Sequence, residues 1–547
     1  MKKVLATLLL SAGVFASLSH PTLAQEAVTI NGVEAQRVII APPKNALAQS
    51  IKSGLSQSYA DARKGTRAYA SAQKLYFFYG ARNFEPLWLD EDAQGRIIFS
   101  PNALKVLEVF EQSYLEGLRP ADYLTSELSL SGNFTDPARL AALETAFSEA
   151  AVKYAQHAAG GRINPKSVSS QFDLNPTRIN SADFLVELVN ASAPQELLRS
   201  LSPTHREFLA LKDLLASYYQ GDVEDVIIVP DGKMLKLGMT DQRIQVLRLR
   251  LGLPEVVDDN TYDEEIIVAI EAFQAEMGLF VDGVTGPATI AALNGIAGAS
   301  KEDIVANMER WRWMPKDLGD FHVFVNIPEF RLTVMRGDEI THSTRVVVGK
   351  PQNMTPVFSD EIEHVVVNPF WNIPSSIARN EIGPHLASNP GYLSARNMEL
   401  LSGGKVINAS SVDWSATSIN NFRIRQRPGP RNALGTIKFL FPNSHAVYLH
   451  DTPSRSLFSR SQRAYSHGCV RVQNPMDFAG ALLANDTSIS KSSLQSQFGT
   501  RERWNNLSTH IPVHLAYFTL RVSADGTIRS FGDIYGHNQR LKNLLEN

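Results

Sequence analysis

At 547 residues the chain is too long for a single hydrophobic core, and three or four domains are expected. Its composition, 44% hydrophobic and 20% charged, is that of a globular protein, and a formal charge of −3 offers none of the basic excess that nucleic-acid binding uses. There is one cysteine, which excludes an internal disulfide and makes a poor start for a zinc site.

Lys2 and Lys3 precede an apolar stretch, Val4 to Ala16, that is short for a bilayer span, and Thr22-Leu23-Ala24 places small residues before Gln25. This predicts a secretory signal peptide over 1–24 and an exported, periplasmic product; the alternative is an uncleaved N-terminal anchor. No cysteine follows the apolar stretch, so a lipoprotein is excluded. No later apolar run approaches ~20 residues, so no membrane span is predicted. In an oxidising compartment a lone thiol is a liability, and its presence favours a chemical role.

Residues 25–60 read as a linker or arm, with a short strand-like piece at Arg37 to Ala41 and then a polar helical pattern. Residues 61–235 read as an all-α structural domain. Leu104, Leu107, Val109 and Phe110 recur at helical spacing, as do Leu140, Leu143, Ala146, Phe147, Ala150, Ala151 and Tyr154, punctuated by Pro120, Gly160-Gly161 and Pro165. Residues 236–296 form a three-helix unit. Val246, Leu249, Leu251 and Leu253 precede an acidic turn; a helix follows with Ile266, Val268, Ala269, Ile270 and Phe273. Then come Gln274, Gly278 to Pro287, and a last helix through Ile290 and Leu293. Its Gln…Asp282-Gly283…Gly286-Pro287 string resembles the peptidoglycan-binding domain found beside many cell-wall enzymes.

From about 320 the apolar period changes to two. Phe321, Val323, Val325 and Ile327 alternate, and strands are expected at Arg331–Met335, Thr344–Val348, Ile362–Val367, Leu434–Pro442, Ala446–His450 and Val513–Val522. This predicts a mainly-β domain over 320–520. A partly helical insertion at about 375–425 is a plausible lid, and 521–547 is read as a C-terminal tail, polar and helical from Ile534.

Cys469 lies in Ser466-His467-Gly468-Cys469-Val470-Arg471, with His450 19 positions upstream. A thiol beside imidazoles is a candidate nucleophile, since an imidazole can take the thiol proton. His467 is two residues away and His450 ends another strand; spacing does not choose between them as base. Backbone N–H groups around Gly468 and Cys469 could form an oxyanion hole, and Arg471 could hold a carboxylate or orient the loop.

The string from His450 through Ser466-His467-Gly468-Cys469-Val470-Arg471-Val472-Gln473-Asn474, with Leu434-Gly435-Thr436-Ile437-Lys438-Phe439 upstream, resembles the L,D-transpeptidase (YkuD-type) catalytic family. Asp451 departs from the glycine that many members carry after the first histidine. Trp311-Arg312-Trp313-Met314-Pro315, Asn368-Pro369-Phe370-Trp371-Asn372-Ile373-Pro374 and the domain order look like its large periplasmic, multi-domain subclass. The resemblance implies a β-sandwich catalytic domain in a multi-domain α+β chain. It implies Cys469 as nucleophile, His450 or His467 as base, Gly468 at the oxyanion pocket, and Arg471, Ser466, Tyr448, Trp371 and Asn474 near substrate. It implies a tetrapeptide stem of peptidoglycan as donor, attacked at its third residue with loss of D-alanine, a 3→3 crosslink as product, and acylation by carbapenems, with no metal or organic cofactor needed. Stem peptides and glycan are the implied partners, with room for a peptidoglycan synthase or carboxypeptidase. The alternatives are a same-fold hydrolase, a carboxypeptidase or endopeptidase, and a wall-binding scaffold without catalysis, against which the intact Cys469 and histidines argue.

Overall fold

The computed structural model describes residues 42–128, 136–221, 227–256, 259–277, 279–294, 300–389, 391–484, 486, 488–522 and 526–546. The expected signal segment and the strand-like Arg37–Ala41 lie outside them. The chain folds as two units. One draws on residues up to Leu107, Leu124–Val152 and Asn180–Pro194; the other on Glu108–Tyr123, Lys153–Ile179 and Gln195 onward.

In the first unit the supposed arm is a helix, Ala46–Asp61, capped by the Asn45 side chain and burying Leu47, Ala48, Ile51 and Leu55. Its apolar spacing, diluted by serines, was too weak to read as core. Helix Arg67–Ala81 packs beside it. The unit is not all-α: β1 (Leu89–Glu91) and β2 (Ile97–Phe99) form a hairpin. Glu144, fully buried, accepts from the backbone N–H groups of Trp88 and Leu89 and from the Tyr79 hydroxyl, which ties the hairpin to the helices. Leu104, expected inside, is exposed.

In the second unit three helices, Arg243–Arg250, Glu264–Glu276 and Pro287–Asn294, enclose Ile244, Leu247, Tyr262, Ile266, Ile270, Ile290 and Leu293. Leu249 and Val268 point outward instead. The Gln274 amide explains the recurring string. Its oxygen accepts from the Asp282 and Gly283 N–H groups, and its nitrogen donates to Asp282 Oδ1 and the Val284 carbonyl.

The Trp311–Pro315 motif belongs to helix Lys301–Trp313, opened by a Ser300/Asp303 capping box. It is buried nearly all round, charges included. Arg312 donates to the carbonyls of Ala158 and Glu116, and Asn307 Oδ1 accepts from the Thr519 and Leu520 N–H groups.

The β-rich domain is one nine-stranded sheet. Its strands are β3 (Phe321–Asn326), β4 (Arg331–Arg336), β5 (Glu339–Gly349), β6 (Phe358–Val367), β11 (Ile437–Leu440), β12 (Leu449–His450), β13 (Ala464–Ser466), β14 (Val470–Val472) and β15 (Arg503–Ala516). They run in the order β13-β5-β14-β12-β11-β6-β15-β3-β4, and β4 also pairs with β5. The layers of the expected sandwich are therefore one sheet closed on itself. Alternate residues of these strands, Val346, Val348, Val365, Val367, Ile437, Phe439, Leu449, Val470 and Val472, share one core.

Between β6 and β11 the insertion carries its own four-stranded sheet: β7 (Trp371–Asn372), β8 (Met398–Ser402), β9 (Lys405–Ile407) and β10 (Arg423–Gln426), in the order β7-β10-β8-β9. Short helical turns, one of them a π-helical turn at Ala378–Ile382, complete a separate core of Ile377, Ile382, Leu386, Leu393 and Leu400. The Asn368 side chain holds the entry, donating to the Gln497 and Arg501 carbonyls and accepting from Gly499 N–H.

In the tail from 521 the helix expected from Ile534 is present, but the segment is built into the fold. β16 (Leu520–Val522) pairs with β17 (Ile528–Ser530), and helix His537–Glu546 buries Leu541 and Leu545 in the main core. The polar residues of that segment hid two well-placed leucines.

Candidate active site

Register builds the site. β12 and β14 run parallel, with Leu449 opposite Val470 and His450 opposite Arg471; β11 places Lys438 opposite His450. Paired residues project to one face and residues two apart share it, so Tyr448, His450, Cys469, Arg471 and Lys438 lie together on the face away from the core. Val347 and Val366, paired to Arg471 and Lys438, extend that row, and Trp504 follows.

Cys469 keeps a partly exposed surface, but crowding around the sulfur pushes its thiol up; the Tyr448 backbone and hydroxyl and the Arg471 guanidinium pull the other way. Sγ lies 3.9 Å from the Ala446 carbonyl. His450 is buried, and its Nδ1 is 2.5 Å from the Asp451 carbonyl. An acceptor there fixes the proton on Nδ1 and leaves Nε2 basic. Burial first, then Arg471, pushes this imidazole down to about 3, so it is neutral at ordinary pH. The Tyr448 and His450 rings meet edge-on at 5.6 Å.

His467 does something else. Its side chain is exposed and its Nε2 sits 2.8 Å from Glu381 Oε1 on the insertion's π-helical turn. Ser466 is buried; its hydroxyl donates to the Cys469 carbonyl at 2.5 Å and accepts from Gly468 N–H at 3.1 Å. It shapes the turn. The same bond engages the Gly468 N–H, so the Cys469 N–H is the freer candidate donor to an oxyanion. Gly468 has φ +117°, a conformation L side chains rarely adopt, and its carbonyl accepts from the Thr355 hydroxyl. The Nε of Arg471 is buried without a hydrogen-bond partner.

Two further expected residues belong to other elements. Asn474 lies five residues past Cys469, beyond the far end of β14, about 16 Å of extended chain away; with φ +51° it opens helix Pro475–Leu483. Trp371 pairs with Gln426 in the insertion sheet and packs on the insertion core.

Sequence reasoning missed Lys438. It is buried, burial pulls its ammonium below the usual lysine value, and its Nζ lies 6.0 Å from the Tyr448 ring and 5.5 Å from the Trp504 ring, with Glu502 at 3.9 Å. The signal was a lysine between Ile437 and Phe439 in an otherwise apolar strand. The Asp451 departure is also explained. Its carboxylate accepts from the Thr436 N–H and hydroxyl and from Thr452 N–H, filling space that Gly435 leaves open. Among the described residues no group of His, Cys, Asp and Glu side chains could hold a metal ion.

Three family models match in turn: "Scaffold domain" over residues 73–215, "Putative peptidoglycan binding domain" over 248–293 and "L,D-transpeptidase catalytic domain" over 320–489. The chain thus carries an L,D-transpeptidase catalytic domain together with scaffold and peptidoglycan-binding domains. It is 36% identical over 271 residues, 47% of this chain, to a Haemophilus influenzae protein named "Putative L,D-transpeptidase", and spans about half (53%) of that relative's length. It is also 36% identical over 76 residues to the N-acetylmuramoyl-L-alanine amidase CwlL of Bacillus licheniformis, covering 13% of this chain and 21% of that one. Among solved structures, an L,D-transpeptidase from Mycobacterium smegmatis aligns at 15% identity over 36% of this chain and 58% of its own, with a TM-score of 0.19, too weak a likeness to build on.

Proposed function

We propose that this protein is an exported, periplasmic L,D-transpeptidase that crosslinks peptidoglycan stems through a thioester on Cys469. The observation that carries this reading is the pairing of β12 with β14, which puts a neutral, Nδ1-anchored His450 on the same face as the only thiol. In the first step His450 Nε2 takes the Cys469 proton as sulfur bonds to the carbonyl carbon of the donor's third residue. Collapse breaks the amide bond to the terminal D-alanine, whose amine leaves with that proton. In the second step the side-chain amine of another stem attacks the thioester carbon and gives a proton to His450; the C–S bond breaks and the thiolate is reprotonated. Nothing is oxidised or reduced. The unpartnered Nε of Arg471 suits a donor carboxylate or the developing oxyanion. Glu381 on His467 suits an insertion that closes over the site and limits water. With this goes a division of labour in which 61–235 supports, 236–296 holds the wall and 320–520 performs the chemistry.

The test is incubation of the protein and of Cys469→Ala with disaccharide-tetrapeptide, followed by mass spectrometry. A dimer lighter by one D-alanine, absent with the variant, is the expected product. A tripeptide monomer alone would move the reading to hydrolysis, and no Cys469-dependent product would overturn both.

A further inference from the structure

Four arginines, Arg331, Arg345, Arg463 and Arg529, line a cleft of about 60 Å³ between the three-helix module and the closed sheet. Among the described residues of its lining the one carboxylate, Glu329, is already engaged by Arg331 Nε at 3.4 Å and Arg521 Nη1 at 3.1 Å. The cleft therefore holds a cationic excess in a partly dry place, a costly arrangement without an anion.

The arginines differ in role. Arg463 is buried and built into the frame: its guanidinium donates to the carbonyls of Val346, Arg460 and Phe330. Arg345 reaches from β5 toward the module, its guanidinium 5.2 Å from the Phe280 ring centroid. Arg529 keeps a buried Nε with no hydrogen-bond partner. Burial, and then Arg345 and Arg331, hold Arg463 down to about 9, and Arg345 is lowered by burial and by Arg331; each cation is disfavoured by the next. The rest of the lining is largely apolar, with Leu279, Phe280 and Phe531. A wider groove of about 770 Å³ adjoins it, sharing Glu329, Arg331, Arg529 and Phe531, and is lined further along by Glu207, Asp338 and Glu339.

We infer that this cleft is a binding site for the carboxylate end of a peptide stem, gripped by Arg345 and Arg529, through which the module and the catalytic domain hold one strand of the wall together. Guanidinium forks match carboxylates, the cleft is large enough for a carboxylate and its flanking atoms, and the open groove leaves room for the chain behind it. The inference rests on the wall-directed reading above.

The full chain is first alkylated at Cys469 with iodoacetamide to plug the catalytic site. Binding of disaccharide-tetrapeptide is then measured by calorimetry, with hydrogen exchange followed over 279–289 and 526–531. Expected are protection of both segments, at least a tenfold loss of affinity in Arg345→Gln/Arg529→Gln, and partial recovery in Arg345→Lys/Arg529→Lys, all variants melting like the parent. Equal binding of a stem whose terminal carboxylate is amidated, or unchanged affinity in the glutamine variant, would overturn the proposal. Inorganic phosphate binding more tightly than the stem would also overturn it, in favour of a phosphate-bearing polymer. Because catalysis is not read, loss of the transpeptidase reading and loss of this one remain separable: cleft binding without Cys469-dependent product removes only the former.

Discussion

At the residue scale the chemistry turns on which imidazole serves the thiol. His450 is anchored, neutral and on the thiol's face, whereas His467 is turned to Glu381. Replacing His450 by Gln should lower kcat about 10²- to 10⁴-fold, the range for loss of a general base. His467→Gln should cost less than about tenfold, chiefly in KM; steady-state kinetics on the disaccharide-tetrapeptide decides, and the reverse ranking would hand the role to His467. The pH behaviour follows from the same burial. With His450 pushed down to about 3 and the Cys469 thiol pushed up, the resting pair is neutral imidazole and thiol, not an ion pair. Between pH 8 and 5 kcat/KM should show no fall from imidazole protonation. Alkylation of Cys469 by iodoacetamide should be slow at neutral pH and climb past the ordinary thiol range. An alkylation plateau reached below pH 6 would refute this.

At the scale of elements, the turn before β11 gives a local test. Gly435 has φ +61°, and a Cβ there would lie 2.3 Å from the Asp451 carboxylate. Gly435→Ala should cost about 1–2 kcal/mol from the backbone alone, and more from the clash. Removing the carboxylate in Gly435→Ala/Asp451→Ala should recover part of the lost Tm; strict additivity in that double-mutant cycle would show that the two residues do not meet. The same turn shows what the sequence could say. Period-two alternation made β3, β4 and β6 legible, and the residues around Cys469 announced a candidate nucleophile. The parallel pairing of β12 with β14 is long-range, so the face shared by His450, Cys469 and Lys438 could not be read from spacing. Asp451 looked like a departure because its partner, Gly435, lies 16 residues away. Ser466 and Asn474 entered only through the family resemblance, and the turns they shape depend on backbone geometry that spacing does not show. The insertion's strands are two to five residues long and were hidden among glycine and serine.

At the scale of the molecule, buried histidines set an acid limit. Burial holds His514 and His537 at about 4 and His450 at about 3, against 6.5 in the unfolded chain. Lowered values mean that the folded state binds these protons less readily. The associated stability is therefore complete above pH 6.5 and is lost as pH falls toward 4 and 3, on the order of 3–5 kcal/mol per histidine in the limit. Calorimetric Tm should decline steadily from pH 6.5 to 4, and a flat Tm over that range would contradict it. The buried Arg312 spans the second unit through the Ala158 and Glu116 carbonyls, so Arg312→Ala should lower that unit's stability by about 3–5 kcal/mol, seen as a shifted urea midpoint. The closure of β4 onto β5 has a consequence of another kind. Among the described residues every strand left at a sheet margin, β7, β9 and β13 and both small hairpins, is three residues or shorter. Those margins offer a neighbouring chain little to pair with, and the longer open row is Arg503–Asn506 of β15, which is paired with β6 on one side and lies beyond the reach of β3 on the other.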